Sequence, residues 1–304
     1  MRLSSSLALP LLLACSASAN EPELPNLAPA RSVAEFESHL DQLRTALRIP
    51  AFSASITRGA DIVWAKGFGM ADVEGAVAAT PETEYHLASL TKPFASTVIL
   101  QLVDEGKVSL DDPVSKFGIA LASPGVIRVR HLMSHTSEGE PGSHYAYNGD
   151  RFSLLDSVIV RASGKTFAQR VAERILIPLH LQRTAPNPLS PASFAVMGFD
   201  RSEFIARMAK PYTLSNDVNA LSSYPTSFST AAGLVPRRST WRATRSRWTR
   251  MRFSNRRRKH WRGHRPLRRT AIRFPMALAG SRRACRANAS CGTMATGRPT
   301  RRSS

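Results

Sequence analysis

The last 69 residues of this 304-residue chain carry 22 Arg or Lys and not one Asp or Glu. Like charges at that density repel one another, and no alternation or helical stripe orders the apolar residues among them. Positions 236–304 are therefore not expected to build a core. Folding is left to what precedes. Residues 1–235 hold 20 basic and 22 acidic side chains, a net charge of −2, so the whole-chain charge of +20 says nothing about them. Apolar residues make up 42% of the chain, which supports a sizeable core and excludes wholesale disorder. The longest apolar run is short and N-terminal, too short to span a bilayer.

That run reads as an address. Arg2 precedes an apolar stretch over 7–14, and small residues follow. Charge, apolar core and small residues in this order predict an export signal over 1–19, and a periplasmic or secreted product. Two cuts fit. Ala17-Ser18-Ala19 would release a chain starting at Asn20, the preferred reading. Leu12-Leu13-Ala14-Cys15 resembles a lipobox, which would leave Cys15 as a lipid anchor. Cys15 is the only cysteine in 1–235, so no disulfide framework or thiolate metal site is expected there.

Residues 20–31 are Pro-rich and polar and read as a linker; the folded domain is expected over 32–235. Ser32 with Glu35 predicts a capped helix whose Phe36, Leu40, Leu43 and Leu47 share one face. Positions 51–57 and 62–68 read as two strands around a turn at Gly59-Ala60-Asp61, an antiparallel hairpin. A helix is expected from about Ser89 to Glu105. Pro93 is tolerable near its first turn and Gly106 ends it. Leu154, Leu155, Val158 and Ile159 line a further helix that stops at Gly164. Thr166 with Gln169 caps another, lined by Phe167, Val171 and Ile175, up to Pro178. Helix, hairpin, then helices is an α/β or α+β pattern, with an antiparallel sheet flanked by helices.

Ser89-Leu90-Thr91-Lys92 has S-x-x-K spacing. Residues three apart share a helix face, so the ammonium can reach the hydroxyl. Serine is a poor nucleophile until a base takes its proton, and a desolvated lysine can be that base. A helix N-terminus favours the negative charge that develops on the serine. Four letters alone are weak evidence, and the context adds to them. The text "IPAFSASITRGADIVWAKGFGMADVEG", then "TEYHLASLTKPFASTVILQLVDEGKVSLDDPVSKF", "VRHLMSHTS" and "YNGDRFSLLDSVIVRASGKTFAQRVAERILIPLHL" resembles the serine β-lactamase and penicillin-binding-protein family, in its class C-like and esterase branch. The resemblance runs collinearly from 49 to 188. It implies a β-lactamase/transpeptidase-like fold, incomplete at the C-terminus. It also implies acyl transfer to water on a β-lactam, a peptidoglycan peptide or a small ester. Ser89 would be acylated and Lys92 would assist its deprotonation. Tyr147, opening Tyr147-Asn148-Gly149, stands at the family's Y-x-N element and would shuttle the proton. Gly149 replaces the usual Asn and has no side chain to make the contact the family makes there. Asn148 would replace it only if the loop turned differently.

Other candidates carry less. His135 in "SHTS" invites a Ser-His reading, yet the resemblance implies a structural role. Asp111-Asp112-Pro113 looks metal-friendly, yet no His or acid cluster at ligand spacing supports it. No cofactor and no metal are expected.

The basic segment has two readings. One is an arm that binds a nucleic acid or an acidic envelope polymer through phosphates. The preferred reading is a slipped reading frame, with no nucleic-acid partner. One shift, held throughout, permits an acidic helix-patterned string from Arg237, then Y-G-L-G-W-F from Met276 and V-W-H-Y-G-Y-W between Ser290 and Gly297. The H-Y-G would be the family's third element. The chain as written would then lack the strand that carries it, and activity would be impaired. Besides the hydrolase, the sequence leaves a non-catalytic ligand-binding relative of the fold as a rival, motivated by Gly149.

Overall fold

A computed structural model describes residues 23–59, 61–181, 184–190, 200–215 and 218–236. The predicted export signal with Cys15, and all of the basic segment after Pro236, lie outside the described residues.

Helix α1 (Val33–Ala46) starts as the sequence requires. The Ser32 hydroxyl accepts the Glu35 amide at 3.1 Å. The Glu35 carboxylate does not complete the expected box; it accepts from the Arg31 amide at 2.6 Å instead. The apolar stripe is half-buried rather than buried, and it rests on the sheet. Phe36 meets Trp64 edge-on, with ring centroids 5.4 Å apart, and the Trp64 indole donates to Glu37 at 2.8 Å.

Strands β1 (Ala51–Arg58) and β2 (Asp61–Asp72) form the predicted antiparallel hairpin, from Ala51↔Gly69 to Arg58↔Asp61, with a bulge between Ile56 and Thr57. Strand β2 outruns its predicted end because β3 (Val77–Ala78) pairs with it at Met70 and Asp72. The sheet order is β1-β2-β3. Phe52 stacks on Phe68 across the hairpin at 4.8 Å.

The predicted helix at 89–105 arrives in two pieces. A 3-10 turn, Ala88–Thr91, tightens the entry, and α2 (Lys92–Asp104) continues it with Pro93 in its first turn. Gly106, at φ +75°, supplies the left-handed residue that closes it. Phe94, Val98, Ile99 and Leu102 of α2 are buried in the main core. Against them lie α3 (Val129–Met133), α4 (Gly149–Ser153), α5 (Leu155–Ser163) and α6 (Phe167–Val171). Leu155 and Ile159 of α5, with Val171 of α6, are fully enclosed, each burial worth about 1.5–3 kcal/mol. The α6 cap is reciprocal, Gln169 N–H to Thr166 at 3.2 Å and Thr166 N–H to Gln169 at 2.9 Å. A π turn, Ala172–Leu176, follows it before Pro178.

The rest of the described chain returns to this core. β4 (Thr184–Ala185), α7 (Arg201–Ala206) and the hairpin β5 (Tyr212–Ser215) with β6 (Val218–Leu221) lead to β7 (Val235–Pro236), which pairs with β4. Just before β7, Leu234 bonds to the α2 entry twice. Its amide donates to Thr91 Oγ1 at 3.1 Å, and its carbonyl accepts from Leu87 at 2.8 Å. That docking brings 229–234 beside Ser89.

Candidate active site

The turn that presents Ser89 is strained. Ala88 sits at φ +45°, a left-handed conformation that costs an L-residue about 1 kcal/mol or more. Its neighbours hold it there. The Ala88 amide donates to His86 Nδ1 at 3.1 Å, and the Leu90 amide to the Leu87 carbonyl at 2.9 Å. Ser89 is left exposed at the mouth of the helix, while Lys92, one turn on, is 8% exposed.

Three sequence-predicted residues meet here. Lys92 Nζ donates to Ser89 Oγ at 3.1 Å and to the Ala231 carbonyl at 2.9 Å. The Tyr147 hydroxyl donates to the same Ser89 oxygen at 2.6 Å. The ammonium also lies 5.0 Å from the Tyr147 ring centre and 5.4 Å from that of Phe152, both attractive for a cation. Burial works against ionisation of Tyr147. Hydrogen bonds with Lys92 and Ser89, and the Lys92 charge, outweigh it and hold the phenol below its ordinary range. The arrangement can therefore take a proton from Ser89 and keep it within reach.

His135 supports Tyr147 rather than Ser89. Its ring lies 4.5 Å from that of Tyr147 and stacks on Phe152 at 5.3 Å. Its Nδ1 accepts the Asn148 amide at 3.2 Å, as a neutral ring must. Burial, then the Lys92 charge, lower its pKa and favour that neutral form. Asn148 does not stand in for a side chain at 149. Its Oδ1 caps α4 by accepting the Arg151 amide at 2.8 Å, and its Nδ2 donates to Glu138 at 2.5 Å. A Cβ at Gly149 would meet nothing within 4 Å.

The acidic pair is spent on the fold. Asp112 accepts the Ser109 amide at 2.8 Å and pairs with Lys116 at 2.9 Å, while Asp111 pairs with Arg130. Among the described residues, no group of three or more His, Cys, Asp or Glu could hold a metal ion. No described helix is long and apolar enough to cross a membrane.

Sequence reading missed one contributor. Ala231 acts through its carbonyl, which no side-chain pattern announces.

A serine bonded by a lysine one turn on and by a tyrosine from a distant loop is the arrangement that S-x-x-K chemistry uses. Residues 36–264 match the Beta-lactamase family, more than half of the chain, and the chain belongs to that family. The match runs past Pro236 into the basic segment. Among curated relatives, the chain is 26% identical over 173 residues to Protein flp of Staphylococcus aureus strain NCTC 8325 / PS 47, covering 45% of this chain and 35% of flp. The chain thus spans about a third of that relative's length. Among solved structures, it is similar to the octameric penicillin-binding protein homologue from Pyrococcus abyssi. There the TM-score is 0.64 and the identity 25%, over 73% of this chain and 57% of the other. It also shares the fold of EstCE1, a hydrolase with promiscuous acyltransferase activity. That TM-score is 0.57 and the identity 20%, over 69% of this chain and 71% of EstCE1.

Proposed function

We propose that the chain is a serine hydrolase or acyltransferase whose nucleophile is Ser89. One observation carries the reading: Ser89 Oγ receives hydrogen bonds from both Lys92 Nζ and the Tyr147 hydroxyl. Tyr147, ionised to the phenolate beside the Lys92 ammonium, takes the serine proton, and Lys92 holds that charge in place. The Oγ–carbon bond forms as the carbonyl π pair moves onto oxygen. The bond to the leaving group then breaks, and Tyr147 returns the proton to it. Water repeats the sequence on the acyl-enzyme, with Tyr147 taking and returning its proton beside Lys92. The Ser89 amide is one donor for the oxyanion. The second, which the sequence resemblance assigns to the third element, falls outside the described residues.

The substrate is an acyl compound: a β-lactam, a peptidoglycan peptide or a small ester. The family, and the shared fold of EstCE1, a hydrolase with promiscuous acyltransferase activity, support that breadth. The export signal expected over 1–19 supports a substrate outside the cytoplasm. N-terminal sequencing tests it, with Asn20 expected and a lipidated Cys15 as the other outcome. If a shifted frame replaced the strand of the third element, turnover falls by about 10²–10³ relative to the frame-restored protein, the usual effect of losing one oxyanion donor.

The test is covalent labelling of the full chain with a fluorophosphonate and with a labelled penicillin, and mapping of the adduct by mass spectrometry. Label on Ser89, lost in Ser89→Ala, is expected. A folded protein that takes no label on Ser89 refutes the proposal. A second reading, a non-catalytic binder, is favoured by Gly149 together with the engaged side chain of Asn148. It predicts reversible penicillin binding with no adduct.

A further inference from the structure

Asp156 is a half-buried acid for which the acylation scheme has no use. Both of its oxygens point at one backbone group, the Thr230 amide, at 3.1 and 3.3 Å. Thr230 is itself fully buried, and its hydroxyl donates to the Phe152 and Ser153 carbonyls at 3.1 and 3.2 Å. The very next carbonyl, that of Ala231, is the one that receives Lys92 Nζ. A continuous path therefore runs from Asp156 through Thr230 and Ala231 to Lys92 and Ser89.

A carboxylate is a poor choice for a merely structural acceptor here. Burying it is unfavourable, and a backbone carbonyl or an amide side chain could accept from Thr230 without a charge. What a carboxylate adds is a stronger, charge-assisted bond to the amide. We infer that Asp156 is a positioning residue that grips the Thr230 amide so that the Ala231 carbonyl holds Lys92 against Ser89. The inference rests on the proposed roles of Ser89 and Lys92. Its leverage is geometric: a displacement of about 1 Å in a catalytic group can cost about 100-fold in rate.

Burial is the main influence on the Asp156 carboxyl, pushing it up to about 6, and the Thr230 amide acts in the opposite direction. The charged side chains of the packed elements are engaged elsewhere. Arg130 of α3 pairs with Asp111, Arg151 of α4 donates to the Ser137 carbonyl, and Arg170 of α6 pairs with Glu105. Lys116 of the 3-10 turn Val114–Phe117 pairs with Asp112, and Lys92 of α2 donates to Ser89 and to the Ala231 carbonyl.

The experiment measures the rate of Ser89 labelling by a fluorophosphonate from pH 5 to 8, in the full-length wild type and in Asp156→Ala and Asp156→Asn. Asp156→Ala should label about 10–100-fold more slowly at saturation, with half-saturating probe unchanged within about twofold. Asp156→Asn keeps an oxygen for Thr230 without the charge and should label faster than Asp156→Ala, at about the rate the wild type shows at pH 5. The wild-type rate should rise through a step near pH 6 as the carboxyl ionises, and Asp156→Asn should lack that step. Wild-type rates in Asp156→Ala, or a step that persists in Asp156→Asn, overturn the inference. If Asp156→Ala does not fold, the step decides alone. Wild type that is not labelled at Ser89 refutes the proposed function itself, and the positioning role falls with it. Label on Ser89 that is indifferent to Asp156 refutes only the positioning role.

Discussion

Replacing Asp156 by Asn removes a charge from the interior and keeps an acceptor for Thr230, so it should stabilise the protein in a pH-dependent way. Burial moves this carboxyl from its ordinary 3.8 to about 6. The folded state thus holds the proton more tightly than the unfolded state. The contribution of Asp156 to stability is fully present below 3.8 and is lost as the pH rises through about 6. That interval corresponds to about 3 kcal/mol. Above it the wild type carries the whole penalty and the Asn variant carries none. The new amide NH₂ needs an acceptor, and a poor one returns about 1–2 kcal/mol of the gain. The net expectation at pH 8 is about 1–2 kcal/mol in favour of Asp156→Asn, a Tm higher by about 3–6 °C for a domain of this size. At pH 4 the advantage should vanish or reverse. Thermal unfolding followed by circular dichroism at pH 4, 5, 6 and 8 checks it. A difference between the two proteins that stays constant from pH 4 to 8 refutes the reasoning, because the carboxyl would not then titrate as a buried group.

Lys92→Ala and Tyr147→Phe should each slow Ser89 labelling by about 10²–10⁴, the usual range for a lost general base, and adduct formation over time measures it. Leu155→Ala, at a fully enclosed core position, should lower stability by about 2–5 kcal/mol, read from urea unfolding midpoints. Gly149→Asn meets open space at its Cβ and should leave Tm within about 2 °C of wild type, while changing the half-saturating concentration of a penicillin probe.

Local chemistry made much of this molecule legible. The Thr166–Gln169 cap, the hairpin around Gly59 and the Gly106 helix stop depend on residues within a few positions of one another. Ser89 and Lys92 were legible for the same reason, since one helical turn joins them. Tyr147 lies 58 residues from Ser89 and was found through the resemblance and the spacing of Phe152, Leu154 and Leu155. What stayed hidden depends on distant partners or on the backbone. The two-residue strands β4 and β7 have no pattern of their own, and each is a strand only because it meets the other. The Ala231 carbonyl has no side-chain signature. Asn148 read as a neighbour of the site, yet its position before α4 gave it a cap to make instead.

The Lys92–Ala231 bond joins residues 139 positions apart, and the Leu234–Thr91 bond joins residues 143 apart. A chain made from its N-terminus has the serine, the lysine and their helix long before the carbonyl that fixes the ammonium exists. The entropy of closing that long loop must be met before the contact is gained. Assembly of the site is thus a late event in biogenesis, set by the docking of 229–234 rather than by formation of α2. The reactivity of Ser89 toward an acylating probe becomes a clock for maturation: silent on nascent chains that end before the turn, and switched on when the turn seats.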